Sequence, residues 1–334
     1  MTRQRALAAG KSPEEAEKIV NKAVVSAVRE TTLAVVKTMV DNMPAVLDAH
    51  LEDIRGFDSR IRLHWGRAFD LMFVVTNSSI EAAENFRANC EPSPNETLFL
   101  VLTGLFARAC RIAMEIHHLL SGGFPLGAYA RARTLHEIAV VAQVLATNDG
   151  KPGSEDLAER FMLHRLILEH KDNLAYAMTF NDQSREVVDE IEAGKATQKS
   201  LCERFGDEYK ESHGWAFKLT GRKNTGITDL EKLTNLELFR PHYKAMSHEV
   251  HADSSSWQLN RIQRNGATHQ LSGRTNIMFE DPAFLTMGSL KDVADTVFLS
   301  RHGSISKLRI MAARRVHRHG QRCVRSRCQV CGRS

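Results

Sequence analysis

The segment from Glu96 to Gly150 runs ETLFLVLTGLFARACRIAMEIHHLLSGGFPLGAYARARTLHEIAVVAQVLATNDG. Leu105, Ile112, Ile116 and Leu119 recur at helical spacing, so one face of a long helix is apolar from Glu96 to Leu120. Gly122-Gly123 stops it, and Pro125, suited to a first helical position, opens a second helix that runs to about Leu145. Asn148-Asp149-Gly150 ends that one. Two apolar helices joined by so short a turn must lie antiparallel, and the predicted fold is all-α: an irregular helical bundle with a central antiparallel helical hairpin.

Upstream, Ser12-Pro13-Glu14-Glu15 supplies an N-cap, a proline at the first helical position and acids near the positive end of the helix dipole. The pattern predicts a helix from Ser12 to about Ile54 and another from Ser59 to Phe86, with a break at 90–95 around Pro92 and Pro94. Downstream, helices are expected over Glu155–Phe180 and Ser184–Tyr209, the latter as one or two pieces, and Gly206–Thr228 is expected to be a loop. A helix from Pro241 to His251 follows, then short stretches at Trp257–Gln263 and Thr275–Phe279 that could be extended, then a last helix from about Pro282 to Arg315. No alternating run is long enough for a central sheet. The expected organisation is an N-terminal helical extension (1–58), a bundle domain (59–312) and a basic Cys/His-containing tail (313–334) without fixed structure.

Of 334 residues, 43% are hydrophobic and 25% charged, enough for a sizeable core. No run of about 18 uncharged apolar residues occurs and no secretory apolar region follows the charged start, so neither a membrane span nor secretion is expected. Cys90, Cys110 and Cys202 stand singly in helical patterns, which suits reduced thiols and a cytoplasmic location. The net charge of +5 is uneven, because the stretch from Arg301 onward is strongly basic; any nucleic-acid affinity it brings would be electrostatic and salt-sensitive.

Two clusters carry chemistry. Arg108, Arg111, Glu115 and His118 share a face of the first hairpin helix, and Arg131, Arg133, His136 and Glu137 lie on the second, each beside an apolar stripe. Charges at the edge of a core need partners, so one reading is a structural Arg–Glu network. The other cluster is Tyr243, Ser247 and His251, spaced four apart and therefore on one helix face. No metal or other cofactor is expected: Glu115-Ile116-His117-His118 has the Glu-x-x-His spacing of carboxylate-bridged metal sites but no second copy, and His248 and His251 are three apart, not the four that a zinc-protease helix needs. Cys328-Gln329-Val330-Cys331 with Cys323 or a histidine could complete a zinc site, against the alternative of an unstructured tail.

Phe106 to Val141, with Arg133-Thr134-Leu135-His136-Glu137, together with Tyr243 to His251, resembles an uncharacterised prokaryotic all-helical family of unknown function. In it an Arg-Thr-x-x-Glu helix is followed about a hundred residues later by a Tyr-x-x-x-Ser-x-x-x-His helix. The resemblance spans about residues 60–310 and implies a fold and a shared polar site, with no established activity. Arg131 and His136 also resemble the site of the HEPN superfamily, helical proteins that include many toxin and phage-defence ribonucleases, in which an Arg precedes a His by four to six residues. There an imidazole takes the proton of a ribose 2′-hydroxyl while a guanidinium stabilises charge growing on the phosphate.

Two functions follow as expectations. One is a metal-independent ribonuclease or nucleotide-processing enzyme of toxin or defence type, with His136 or His251 as base, Arg133 or Arg131 at phosphate, Glu137 beside them, and Ser247 and Tyr243 orienting; its partner would be RNA or a nucleotide. The other is a non-catalytic ligand- or partner-binding module in which the same residues form a structural network. The enzyme requires the clusters to meet at a solvent-reachable cavity, the module a closed and mutually satisfied network.

Overall fold

In the computed structural model, which describes residues 3–89, 95–250, 256–258 and 261–299, helices carry most of the described backbone. The predicted all-α class holds. Contacts divide the chain into two units, Met1–Arg60 and Ile61–Ser334.

In the first unit, α1 (Arg3–Ala8) precedes α2 (Pro13–Ala88), whose start is a reciprocal cap. The Glu15 amide donates to Ser12 Oγ at 3.2 Å and the Ser12 amide donates to Glu15 Oε2 at 3.1 Å. One continuous helix replaces the two expected here. Arg55-Gly56-Phe57-Asp58 contains no proline, and a lone interior glycine costs only about 1 kcal/mol against alanine, too little to end a helix this long. Pro44 is accommodated within it, forgoing the one bond its amide would have made to the Val40 carbonyl.

The second unit is built on α3 (Glu96–Ser121) and α4 (Pro125–Asn148), which pack against each other and against α10 (Glu280–Leu299). Asn95 caps α3, its side-chain oxygen accepting from the Leu98 amide at 2.9 Å. Gly123, at φ 82°, makes the turn into Pro125. Although α3 is long and apolar enough to cross a membrane, Leu102, Phe106, Ile112, Ile116 and Leu120 are buried in the core of this unit. Within the same unit Ile61, Trp65, Phe69 and Met72 of α2 are buried, and Trp65 and Phe69 meet Phe279 with ring centroids 5.6 and 6.1 Å apart.

Beyond the hairpin, α5 (Leu157–Phe180) packs on α6 (Arg185–Phe205), and a single 3-10 turn, Asp207–Lys210, follows. The Tyr209 hydroxyl donates to the Arg160 carbonyl at 2.6 Å and anchors that turn. The expected loop over 206–228 instead holds a second 3-10 turn, Gly214–Ala216, then α7 (Phe217–Thr220) and the start of α8 (Ile227–Glu231). Trp215 is the reason: it buries against Phe161 at 5.0 Å and folds a polar stretch onto α5.

Then come α9 (Arg240–Val250), a 3-10 turn at Ser256–Gln258, and an antiparallel pair, β1 (Arg261–Arg264) and β2 (Ala267–Gln270). Arg261 pairs with Gln270 and Arg264 with Ala267 across Asn265-Gly266, both at positive φ (52° and 74°). That dipeptide is a strong short-range hairpin signal, and it corrects the expectation of an extended run over 257–263. The stretch 275–279 is irregular and not a strand. The expected break at 90–94, the last helix beyond Leu299 and the tail 313–334 with its cysteines lie outside the described residues.

Candidate functional site

α4 carries Arg133, His136 and Glu137 on adjoining faces, and α9 packs directly against it. Arg133 Nη2 donates to the Tyr243 hydroxyl at 2.9 Å, that hydroxyl donates to Glu137 Oε1 at 2.8 Å, and Arg133 Nε donates to the same oxygen at 3.1 Å. The guanidinium also lies over the Tyr243 ring, 4.9 Å from its centroid. Two residues one turn apart on α4 thus grip a residue more than a hundred positions away. Tyr243 is 7% exposed, and burial first, then the adjoining Glu137 carboxylate, pushes its phenol up to about 12.

His136 faces inward and is fully buried, with its ring against Phe239 and Tyr243 at 5.9 and 5.8 Å. Its Nε2 lies 2.9 Å from Glu231 Oε1. A carboxylate only accepts, so Nε2 carries the proton, and Nδ1 is left without a hydrogen-bond partner among the described residues. Glu231, likewise fully buried, accepts at its other oxygen from Arg240, whose second terminal nitrogen donates to Thr228. His136, Glu231 and Arg240 therefore form a chain from α4 through α8 to α9. On α10, Asp292 has its carboxyl pushed up mainly by burial, with Lys291 3.6 Å away and the field of His136 acting in the opposite direction.

The structure brings Arg133, Glu137 and Tyr243 into contact and sets His136 immediately behind them. Ser247 occupies α9 one turn after Tyr243; its side chain, and His251 altogether, lie outside the described residues. A catalytic base must reach its substrate's proton, whereas the His136 ring is enclosed by Phe239, Tyr243 and Glu231.

The hairpin cluster splits from this site. Arg131 Nε donates to Glu115 Oε2 at 2.7 Å and Arg111 lies 3.8 Å from the same carboxylate, while Arg108 and His118 are exposed. The Glu115 of the Glu-x-x-His element is thereby engaged by arginines, and among the described residues no group of three or more His, Cys, Asp or Glu is placed to hold a metal.

Sequence reading missed Glu231, Arg240 and Asp292. A signal for Glu231 was present: Gly226-Ile227-Thr228-Asp229 starts a helix, with the Gly226 amide donating to Asp229 Oδ2 at 3.2 Å. Nothing local marks Asp292, whose relevance comes from the packing of α10 on α4.

The model of a family of unknown function, DUF5677, matches residues 99–268, half of the chain, and takes in both α4 and α9. No curated protein and no solved structure matches.

Proposed function

The chain belongs to DUF5677, a family of unknown function, and from the geometry of the site we propose that it is a helical module that binds a ligand without transforming it. In this reading the polar residues of α4 and α9 are a clamp. One observation carries it: the Tyr243 hydroxyl is engaged by both Arg133 and Glu137 while His136 is sealed against Glu231, which is the closed arrangement that a structural network has and an open catalytic cavity lacks. The ligand with a physical argument behind it is a nucleic acid, RNA among them. The stretch 301–334 holds ten Lys and Arg and no Asp or Glu, and such a run binds phosphate backbones by counterion release.

A second reading keeps the ribonuclease or nucleotide-processing enzyme of toxin or defence type. It is favoured by the partial exposure of Arg133 and Glu137, 20% and 35% at the side chain, with Arg133 Nη1 uncommitted among the described residues. Arg133 would then meet a phosphate, with His251 as the base.

Incubating the purified chain with varied RNAs, with chelator and with added divalent metal, separates the two. Salt-sensitive binding that leaves the RNA intact supports the module. Metal-independent cleavage that disappears in folded His251→Ala and Arg133→Ala variants supports the enzyme and removes the first reading. Absence of both binding and cleavage removes RNA as the ligand.

A further inference from the structure

Between Val24 and Leu51, α2 is a single helix whose large apolar side chains face solvent. Leu33, Val36, Val40, Met43 and Leu47 advance by alternating steps of three and four, and His50, Ile54 and Phe57 continue the alternation. That is the 3.5-residue repeat of a coiled-coil seam. The first five are each 50–60% exposed, and Met39 and Val46, which flank the seam, are 68% and 63% exposed. Within the same stretch Thr38, Ala45 and Glu52 fall on the opposite face.

A helix whose stability in water comes from packing an apolar face should not leave this one open. We propose that this segment pairs with the same segment of a second copy of the chain as a two-stranded coiled coil. Three observations select that occupant. A 3.5-residue seam fits a partner of identical period, and a second copy supplies one in register with the same knobs and holes. From Leu33 to Phe57 the seam is about 37 Å long, and a face about 10 Å wide on each copy comes to about 750 Å², the size of a weak, concentration-dependent pairing. Finally, the seam holds one interior polar residue, His50, the kind of position that sets register in paired helices.

The test is the solution mass of the full chain by light scattering at tens of micromolar, for wild type and two double variants. Wild type should have twice the 37.5 kDa chain mass. Val40→Glu with Leu47→Glu, placing charge in the seam, should give the single-chain mass with the circular dichroism of the second unit's helices retained. Thr38→Glu with Ala45→Glu, on the outer face, should keep the doubled mass. A single-chain mass for wild type overturns the proposal and leaves the face to a partner of different sequence. Retention of the doubled mass by the seam variant, or its loss in the outer-face variant, overturns it as well.

Discussion

At the scale of single residues, the free energy of this site is concentrated in groups that cannot lose a neighbour cheaply. Glu231 is fully buried and held by His136 and Arg240, so Glu231→Ala strands an imidazole and a guanidinium beside an apolar void. Breaking a buried charged pair in this way costs about 3–5 kcal/mol; urea unfolding should show a loss of that order for Glu231→Ala and a smaller one for His136→Ala, in which the carboxylate keeps Arg240. Tyr243 makes a different prediction. Its phenol stays neutral up to about 12 in the folded chain but ionises near 10 once unfolded. Its contribution to stability is therefore complete below pH 10 and lost as pH rises from 10 through 12. Denaturation midpoints over that interval should fall more steeply in wild type than in Tyr243→Phe; equal slopes would mean that the phenol titrates alike in both states. Cys110, buried and pushed up to about 12, acts with the same sign in both proteins and cancels in the comparison.

Elements set these residues in place through their ends and turns. The hairpin turn is fixed from outside itself: the Thr275 amide donates to the Gly123 carbonyl at 2.9 Å and Arg274 Nε donates to the Gly122 carbonyl at 2.6 Å. Because Gly123 is at φ 82°, Gly123→Ala should cost about 1–2 kcal/mol, read as a lower unfolding midpoint at an unchanged denaturant slope. Gly127, also near this turn, has an ordinary φ and only the flexible Leu119 side chain within contact range, so Gly127→Ala is the matched control and should be neutral or mildly stabilising. The hairpin was legible from residues 96–150 because periodicity and punctuation agreed there. The join of α2 at residues 55–58 was not, since a glycine beside charged residues reads as a boundary when neighbouring turns are not considered.

For the whole molecule, the two units differ in what protects them. Ile61–Ser334 has a three-helix core of α3, α4 and α10, whereas the apolar residues of α2 from Val24 to Leu51 are covered by nothing within Met1–Arg60. Hydrogen exchange should therefore divide the chain. Amides of α3 and α4 should exchange at rates independent of protein concentration. Those between Leu33 and Phe57 should slow as concentration rises and pairing of copies takes hold. Uniform, concentration-independent protection across both segments would contradict the self-association of α2.

By itself the sequence determined the helical class and the 96–150 hairpin, because these depend on local periodicity and on the residues that start and stop helices. The resemblance to the uncharacterised family came from short motifs on α4 and α9, and the family's model, matching residues 99–268, bears it out. Only the tertiary structure decided which partner each charge takes: Arg133 and Glu137 close on Tyr243, Arg131 goes to Glu115, and His136 turns inward to Glu231. Residues three apart on a helix, such as Arg133 and His136, differ by only about 60° in direction, and spacing cannot say which of the two points at the core. The packing of α8, α9 and α10 against α4 supplies that answer.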